Sequence, residues 1–465
     1  MQINQRLNSK IIIATIFSSF LAPFMSSAVN IAVPKIAKEL NLNAIEANFI
    51  VLSFILFSAA FMLPIGKIAD SFSRSKLFLF GNILFLISSV GCMLSKGFLS
   101  LIIFRCIQGA SSSFIFATSM PILISHNPPQ YRGRLLGYNT AAVYLGISLG
   151  PFVGGIIIDS IGYSGIFLFS AIISLISVLL IIIAKKEIIE EEKLISLKDF
   201  DIKGSLFAII GLNLLMYGAS TFSYSIINKI LFILGILSVV LLIIVEKNVK
   251  NPLVDIKIFS NNKPFIFSNL AALINYCATY GAGYMVSLYL QNVKGIDAKA
   301  AGIIMIIQPI FQIILSILSG RISEKKNPTI IATLGMILLS IGLLIYVTFT
   351  QNTPFYLLYI NLIIMGVGFG LFSSPNTNVV MSSVKKEFFS IASSIISEMR
   401  LVGQAFSMAI ISIVFSIFFK GTKGLFDKIA LMNSFKLIFA VFFILSIFGI
   451  LASLVRVERK NANEN

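Results

Sequence analysis

The sequence predicts an all-helical integral membrane protein with fourteen transmembrane helices. Hydrophobic residues make up 57% of its 465 residues, and charged residues only 12%. Soluble domains carry about 25% charged residues. Apolar runs recur from residue 11 to residue 455, and no stretch between them is polar enough to form a soluble domain. A membrane crossing needs ~20 apolar residues, so these runs indicate repeated crossings rather than a single anchor.

The fourteen predicted spans cover the whole chain, and each must be helical because backbone amides cannot remain unpaired in lipid. The first apolar stretch follows two basic residues, as in a signal peptide. It continues past residue 30 without a cleavage site, so we interpret it as a span. A short polar link separates the seventh and eighth spans. The predicted spans are residues 11–33, 47–66, 77–95, 98–125, 136–158, 164–184, 204–220, 228–245, 265–289, 299–319, 329–349, 355–378, 389–419 and 432–455.

Composition excludes several classes of function. The three cysteines lie within apolar runs without paired spacing, and there is a single histidine. A disulfide framework, a zinc site and a histidine-based catalytic centre are therefore not expected. The net charge of +17 could indicate nucleic-acid binding. We attribute this positive charge instead to membrane topology, because most lysines and arginines fall in the two tails and in the loops that lie on the same side of the membrane as the tails. This bias predicts that both termini are cytoplasmic.

An internal repeat predicts two related halves. Each copy places a glycine, a base and an acid at a cytoplasmic helix end, where they could latch one half to the other; an ordinary charged loop would look the same. The repeat predicts a six-helix half at 1–185, links and two inserted helices at 186–264, and a second six-helix half at 265–465. The repeated residues are Gly66, Lys67 and Asp70 in the first copy, and Gly320, Arg321 and Glu324 in the second; Arg74 follows in the turn after the first copy.

Two further segments indicate function within the membrane. Arg105 lies in the fourth span with Gln108, and a guanidinium in the bilayer costs roughly 2.5–3.5 kcal/mol even on lenient scales. We expect Arg105 to face a central cavity; the alternative is that it extends to the outer surface. The fifth span carries glycines that allow close packing and a proline that tends to kink the helix. These residues indicate either a tight seam between the two halves or ordinary close packing of helices. They are Gly146, Gly150, Pro151, Gly154 and Gly155.

These three segments resemble the signature motifs of the major facilitator superfamily, and the third resembles the motif of its antiporters. Segments 27–34, 251–259, 288–302 and 366–375, with Arg400 and Gly403, are similar to its fourteen-span drug/proton antiporter branch (the EmrB/QacA type). The resemblance implies the major facilitator fold, with two six-helix halves plus two inserted helices. It implies proton-coupled export of small amphiphilic drugs or toxic compounds across the cytoplasmic membrane of a prokaryote. A monomer without cofactor, metal, nucleic-acid partner or enzymatic activity is expected.

The chain departs from this family pattern at three places. Met25 stands where the family usually has an aspartate in the first span, so the resemblance does not assign the proton site. Ser71 and Ser73 replace the base and glycine usual in the first motif. Residues 162–164 lack the aromatic–arginine pair common before the sixth span.

Glu398 is the only carboxylate that the predicted spans place well inside the membrane. We expect it to replace the missing acid in proton coupling, with Arg105 or Arg400 tuning the cavity and Asp159 as a further candidate. Glu398 and Arg400 are two residues apart, so they project to nearly opposite helix faces and cannot pair. The alternative is that Glu398 forms a structural ion pair with a neighbouring helix.

Polar stripes at helical spacing predict the wall of an amphiphilic cavity; hydrogen bonding between helices would give the same pattern. The predicted cavity residues are Ser26, Asn30, Gln108, Asn269, Tyr276, Tyr280, Tyr284, Gln308, Gln312 and Gln404. The same architecture would suit a dedicated transporter of a lipid or endogenous metabolite that is not driven by protons. A membrane enzyme would need clustered acids or histidines, and a sensor or scaffold would produce no solute flux.

Overall fold

The computed structural model describes residues 9–71, 73–125, 127, 132–184, 201–221, 226–248, 262–323, 326–384, 389–419 and 427–455. Within these ranges the chain forms one long helix for each predicted span. The helices are α1 (Ser9–Glu39), α2 (Ala44–Ser71), α3 (Arg74–Leu94), α4 (Phe98–Ser125), α5 (Arg132–Ile161), α6 (Ser164–Ala184), α7 (Ile202–Ser220), α8 (Ile226–Asn248), α9 (Lys263–Leu288), α10 (Ala298–Ser323), α11 (Pro328–Val347), α12 (Phe355–Ser382), α13 (Phe389–Phe418) and α14 (Lys428–Leu454). The predicted all-helical membrane fold is confirmed.

Twelve of these helices are long and apolar enough to cross a membrane by length and composition alone; the other two are α7 and α9. The apolar part of α7 is short, at Lys203–Leu215. In contrast, α9 is long, but asparagines, tyrosines and glycines interrupt its apolar residues. Several of these polar residues face the other half of the protein, as described below, so the low hydropathy of α9 reflects the site that it lines.

Helix boundaries differ from the predicted spans where a helix continues beyond the apolar core. Both α1 and α5 extend several residues into the polar margins, because helices do not end where the hydrocarbon does. The tenth span is also broken, with segments Ala298–Met305 and Ile307–Ser323. Pro309 explains the break, since it has no amide hydrogen to donate to the carbonyl of Met305.

Several helices of the second half begin with a side-chain cap, which satisfies backbone amides that have no partner within the helix. Asn262 accepts from the amide of Phe265 at 3.1 Å at the start of α9. Asp297 accepts from Ala300 at 2.6 Å at the start of α10. Asn327 and Asp427 cap α11 and α14 in the same way.

The two halves repeat one packing pattern. In the first, α1 packs on α5 and α6, α2 on α4, and α3 on α4 and α6. In the second, α9 packs on α13 and α14, α10 on α12, and α11 on α12 and α14. Every pair in the second half thus corresponds to a pair eight helices earlier. The predicted boundaries at 1–185, 186–264 and 265–465 stay a prediction, because residues 185–200 and 249–261 lie outside the described ranges.

The inserted helices α7 and α8 form a hairpin at the edge of the two halves. They pack on each other, and α7 also packs on α2 and α13. The Tyr217 ring of α7 lies 5.9 Å from the Phe49 ring of α2. Most of α8 is exposed on the surface that would face lipid. The hairpin therefore covers one side of the seam where α2 meets α13.

Candidate functional site

The halves pack most closely along two helix pairs, α2 with α13 and α5 with α10, and α1 also contacts α9. Between α1 and α9, Ser287 donates to the carbonyl of Asn30 at 3.0 Å, and Gln291 donates to Ile31 at 3.1 Å. Between α2 and α13, the Asn48 amide donates to the carbonyl of Met408 at 3.0 Å and to Ser412. All of these contacts lie toward the predicted outer side, so the halves are closed there.

Glycines let α5 and α10 approach each other at the same side. A Cβ at Gly302 would lie 3.0 Å from the carbonyl carbon of Pro151, and one at Gly155 would lie 3.0 Å from that of Ala298. Only residues without side chains fit at such backbone contacts. Asp159 accepts from the amide of Lys299 at 2.9 Å across the same seam. It is exposed rather than buried, and its observed contact is a link between the halves.

The remaining glycines of this helix pack within the first half. A Cβ at Gly146 would contact the backbone of Phe20 and Phe24, and one at Gly150 would meet Ser27 and Ala28. A Cβ at Gly154 would lie 3.1 Å from the Cβ of Ala28. The glycine-rich helix therefore has two faces, one against α1 and one against α10.

Between the halves, the inner face of α9 presents two tyrosines one turn apart. The Tyr280 hydroxyl donates to the carbonyl of Ser26 at 2.8 Å, and the Ser26 hydroxyl lies 3.2 Å from it. The Tyr276 ring lies 5.7 Å from the Phe369 ring of α12.

A hydrogen bond between α5 and α12 also joins the two halves, at the level of Tyr276. The hydroxyls of Tyr144 on α5 and Ser373 on α12 share a hydrogen bond of 2.7 Å. Sequence reasoning did not select Tyr144, Ser373 or Phe369. Tyr144 is a polar aromatic residue two positions before the glycine series, which is a signal that could have identified it.

Arg105 is completely buried, with 0% of its surface exposed, between α2 and α4. It donates to the carbonyl of Ile50 at 3.0 Å and to the Gln108 side chain at 2.7 Å. Its guanidinium carbon lies 4.5 Å from the centre of the Phe54 ring. Gln108 donates in turn to Ser89 at 2.8 Å. The side chain does not extend to the outer surface, and Nη2 has no hydrogen-bond partner within the described ranges.

Arg400 projects from α13 toward the same region. Its guanidinium carbon lies 5.6 Å from the centre of the Phe116 ring of α4, so the contact joins the two halves. It is also close enough to Tyr276 to interact electrostatically, as Arg105 is with Tyr280. Each arginine therefore lies near one of the two α9 tyrosines.

Glu398 is buried, with 4% of its surface exposed, and neither carboxylate oxygen has a hydrogen-bond partner in the described part of the chain. It lies on the side of α13 that packs against α2, one turn from Leu401, which contacts Ala59 and Met62. With about 100° per residue, Glu398 and Arg400 point about 160° apart. Glu398 thus faces the α2–α13 seam, and Arg400 faces the aromatic region between the halves.

The other predicted cavity residues have less direct roles in the described structure. Asn269 donates to its own helix at Phe265, and Tyr284 is fully buried in the core. Gly366 and Gly370 of α12 pack against the backbone carbonyls of Gln308 and Gln312 on α10. Gln404 is buried on α13, on the flank that carries Arg400.

The repeated motif lies at the predicted cytoplasmic ends of α2 and α10. A Cβ at Gly66 would have no described heavy atom within 4 Å, and one at Gly320 would contact only Ser374. Arg74 donates to the carbonyl of Ala69 at 3.3 Å. Arg321 is exposed. The Asp70 side chain and Glu324 lie outside what the structure describes, so their predicted latch stays a prediction.

Comparison with known proteins identifies the family. The Major Facilitator Superfamily model matches residues 15–408 and 268–465. The quinolone resistance protein NorB of Staphylococcus aureus (strain MRSA252) is 30% identical over 427 residues, which cover 88% of this chain and 89% of NorB. The riboflavin transporter RibZ of Clostridioides difficile (strain 630) is 27% identical over 398 residues, covering 85% and 86% of the two chains.

Solved structures share the fold at low sequence identity. A bacterial homologue of the human lysosomal transporter Spinster, in an inward-facing and unoccupied conformation, superposes with a TM-score of 0.70 at 16% identity and covers 97% of this chain and 98% of its own. The peptide transporter POT in complex with sulfate gives a TM-score of 0.69 at 15% identity, covering 98% and 97%. The chain therefore belongs to the major facilitator superfamily, as a multi-pass membrane transporter rather than an enzyme.

Proposed function

We propose that this transporter exports small amphiphilic compounds in exchange for protons, as a member of the fourteen-span drug/proton antiporter branch. It would act as a monomer without cofactor in the cytoplasmic membrane of a prokaryote, with both termini in the cytoplasm. The observation that carries the proposal is the position of Glu398, a buried carboxyl at a seam between the halves.

The chemistry of that position supports proton coupling. An ionised carboxylate without water, cation or hydrogen-bond donor is strongly unfavourable, so Glu398 would hold a proton while the seam around it is closed. Opening the seam would admit water and allow the proton to leave. One turn closer to the predicted cytoplasmic side, a Cβ at Gly66 would have no atom of the described residues within 4 Å. Protonation and seam closure would therefore favour each other, which is the linkage that alternating access requires.

The similarity to NorB supports export of aromatic drugs, since that relative is named for quinolone resistance. The similarity to RibZ supports a second candidate, a dedicated transporter of a metabolite such as riboflavin. Met25 in place of the usual aspartate keeps this candidate open.

Transport in vesicles distinguishes the two candidates. Everted membrane vesicles from cells that produce the protein would be given an imposed pH gradient and either a fluorescent quinolone or riboflavin. The exporter predicts quinolone accumulation that stops when a protonophore collapses the gradient. Movement of riboflavin alone, unaffected by the protonophore, would reject the exporter and support the metabolite transporter.

Replacing Arg105 with lysine is expected to reduce transport at least tenfold without preventing membrane insertion. A lysine ammonium donates from a single nitrogen at the end of its chain, so it cannot reproduce the geometry in which Nε and Nη1 of Arg105 reach the Ile50 carbonyl and Gln108 separately. Transport rates would be normalised to the amount of inserted protein. The neighbouring substitution Cys106→Ala should leave transport near the wild-type rate. Equal rates for wild type and Arg105→Lys would show that the two hydrogen bonds are dispensable.

A further inference from the structure

Two guanidinium groups, those of Arg400 and Arg105, are close enough to Tyr276 and Tyr280 to interact with them electrostatically, and no described acid neutralises either. Arg105 hydrogen-bonds a carbonyl and an amide, and Arg400 contacts an aromatic ring. Neither makes an ion pair with a carboxylate among the described residues. The nearest acid in sequence, Glu398, points to the other flank of α13. A cation at reduced dielectric without a counter-ion is unfavourable, and an anionic ligand would relieve that cost.

The surroundings of Arg400 are aromatic and come from both halves. Phe116 lies under its guanidinium, Tyr276 is close enough to interact with it electrostatically, and the Phe369 ring contacts Tyr276 edge to face. Tyr144 closes the group through its bond to Ser373. Flat rings at such a site would stack on a planar aromatic ligand, and guanidinium is the group best shaped to bind a carboxylate through two hydrogen bonds.

We propose that Arg400 and these rings form the substrate site, and that the site selects planar aromatic compounds that carry a carboxylate. The carboxylate would bind Arg400, the ring would lie among Phe116, Tyr276 and Phe369, and Arg105 would add a second positive charge near Tyr280. The inference rests on the proposed transport function and specifies its substrate class. It places substrate and proton on opposite flanks of α13, so they would be coupled through movement of that helix rather than by direct competition.

Binding of three probes of equal shape and different charge tests the proposal. The probes are 2-naphthoate, its neutral amide and 2-naphthylmethylammonium, measured by fluorescence anisotropy on purified protein in nanodiscs. The chain contains no tryptophan, so protein fluorescence interferes little with the naphthyl signal. Wild-type protein should bind 2-naphthoate at least tenfold more tightly than either other probe. Equal affinity for all three, or preference for the cation, would overturn the proposal without any variant.

Two variants that each remove a positive charge then locate the site. Arg400→Gln should weaken 2-naphthoate binding at least tenfold and leave binding of the neutral amide within twofold. Lys96→Gln, which also replaces a positive charge by a neutral amide at an exposed position, should alter neither. Unchanged 2-naphthoate binding in folded Arg400→Gln would refute the assignment. If Arg400→Gln does not fold, Phe116→Leu provides the test: it should weaken both 2-naphthoate and its amide, and unchanged affinities would refute the aromatic site.

Glu398→Gln separates this inference from the proposed function. It should still bind 2-naphthoate at least tenfold more tightly than the neutral amide, because the Arg400 guanidinium that would recognise the carboxylate is unchanged. Charge-selective binding without gradient-driven transport in the wild type would preserve the site and reject the antiporter. Gradient-driven transport in the wild type without charge-selective binding would support the antiporter and reject the proposed site.

Discussion

Replacing Glu398 with glutamine is expected to abolish proton-driven transport while leaving the protein folded. Glutamine has nearly the same shape and is permanently neutral, so it can neither take up nor release the proton on which coupling to the gradient depends. A transporter that cannot release a proton cannot respond to the gradient, and we expect its gradient-driven rate to fall at least tenfold. Exchange of substrate without a gradient should persist, because exchange needs no change in protonation. Both rates would be measured in proteoliposomes.

A carboxylate at the surface provides the control for this experiment. Glu39 is exposed at the end of α1, and Glu39→Gln should retain the wild-type gradient-driven rate. If Glu398→Gln also retains that rate, the coupling group lies elsewhere and the assignment of the proton site is wrong. Loss of both gradient-driven transport and exchange would indicate a structural role for Glu398.

Replacing Gly302 with valine is expected to prevent the halves from closing on the predicted outer side. A Cβ there would lie 3.0 Å from the Pro151 carbonyl carbon and 3.2 Å from the Cα of Phe152, and valine adds two further methyl groups. The atoms in the way belong to the backbone of α5, so they cannot rotate aside. We expect transport to fall at least tenfold, because the cycle needs this side to close.

The distance between the halves reports this effect directly. Spin labels at Ser160, near the end of α5, and Asn292, after α9, would be measured by pulsed electron resonance. Gly302→Val should shift the distribution to longer distances than in the wild type. Gly97→Val is the control, because a Cβ at Gly97 would have no heavy atom of the described part of the chain within 4 Å. Wild-type distances and transport in Gly302→Val would show that closure of this side does not depend on the close approach of α5 and α10 at Gly302.

The two predictions concern different seams between the halves: Glu398 lies in the α2–α13 seam, and Gly302 lies in the α5–α10 seam. Opening and closing of both seams would make up one transport cycle. The α5–α10 seam depends on shape alone, since glycines determine how closely the backbones approach. The α2–α13 seam also contains an ionisable group. This asymmetry suits a transporter in which one side senses protons and the other closes by packing.

Sequence reasoning found the membrane-spanning architecture because the required information is local. The length of each apolar run determines whether a segment crosses the membrane, and helical periodicity shows that Glu398 and Arg400 point apart. The repeated motif after the second and tenth spans predicted related halves, which agrees with the matching packing of α2 on α4 and α10 on α12. None of these inferences requires knowing which helices touch.

The identity of neighbours came only from the tertiary structure. Periodicity shows that two side chains point apart but not which helix lies on either side, so it could not place Glu398 against α2 or Arg400 against Phe116. The bond between Tyr144 and Ser373 joins residues 229 positions apart. Such contacts depend on how two six-helix bodies dock, and no local pattern encodes that arrangement. The sequence by itself therefore determined the membrane helices, and their docking decided which of the polar residues share a site.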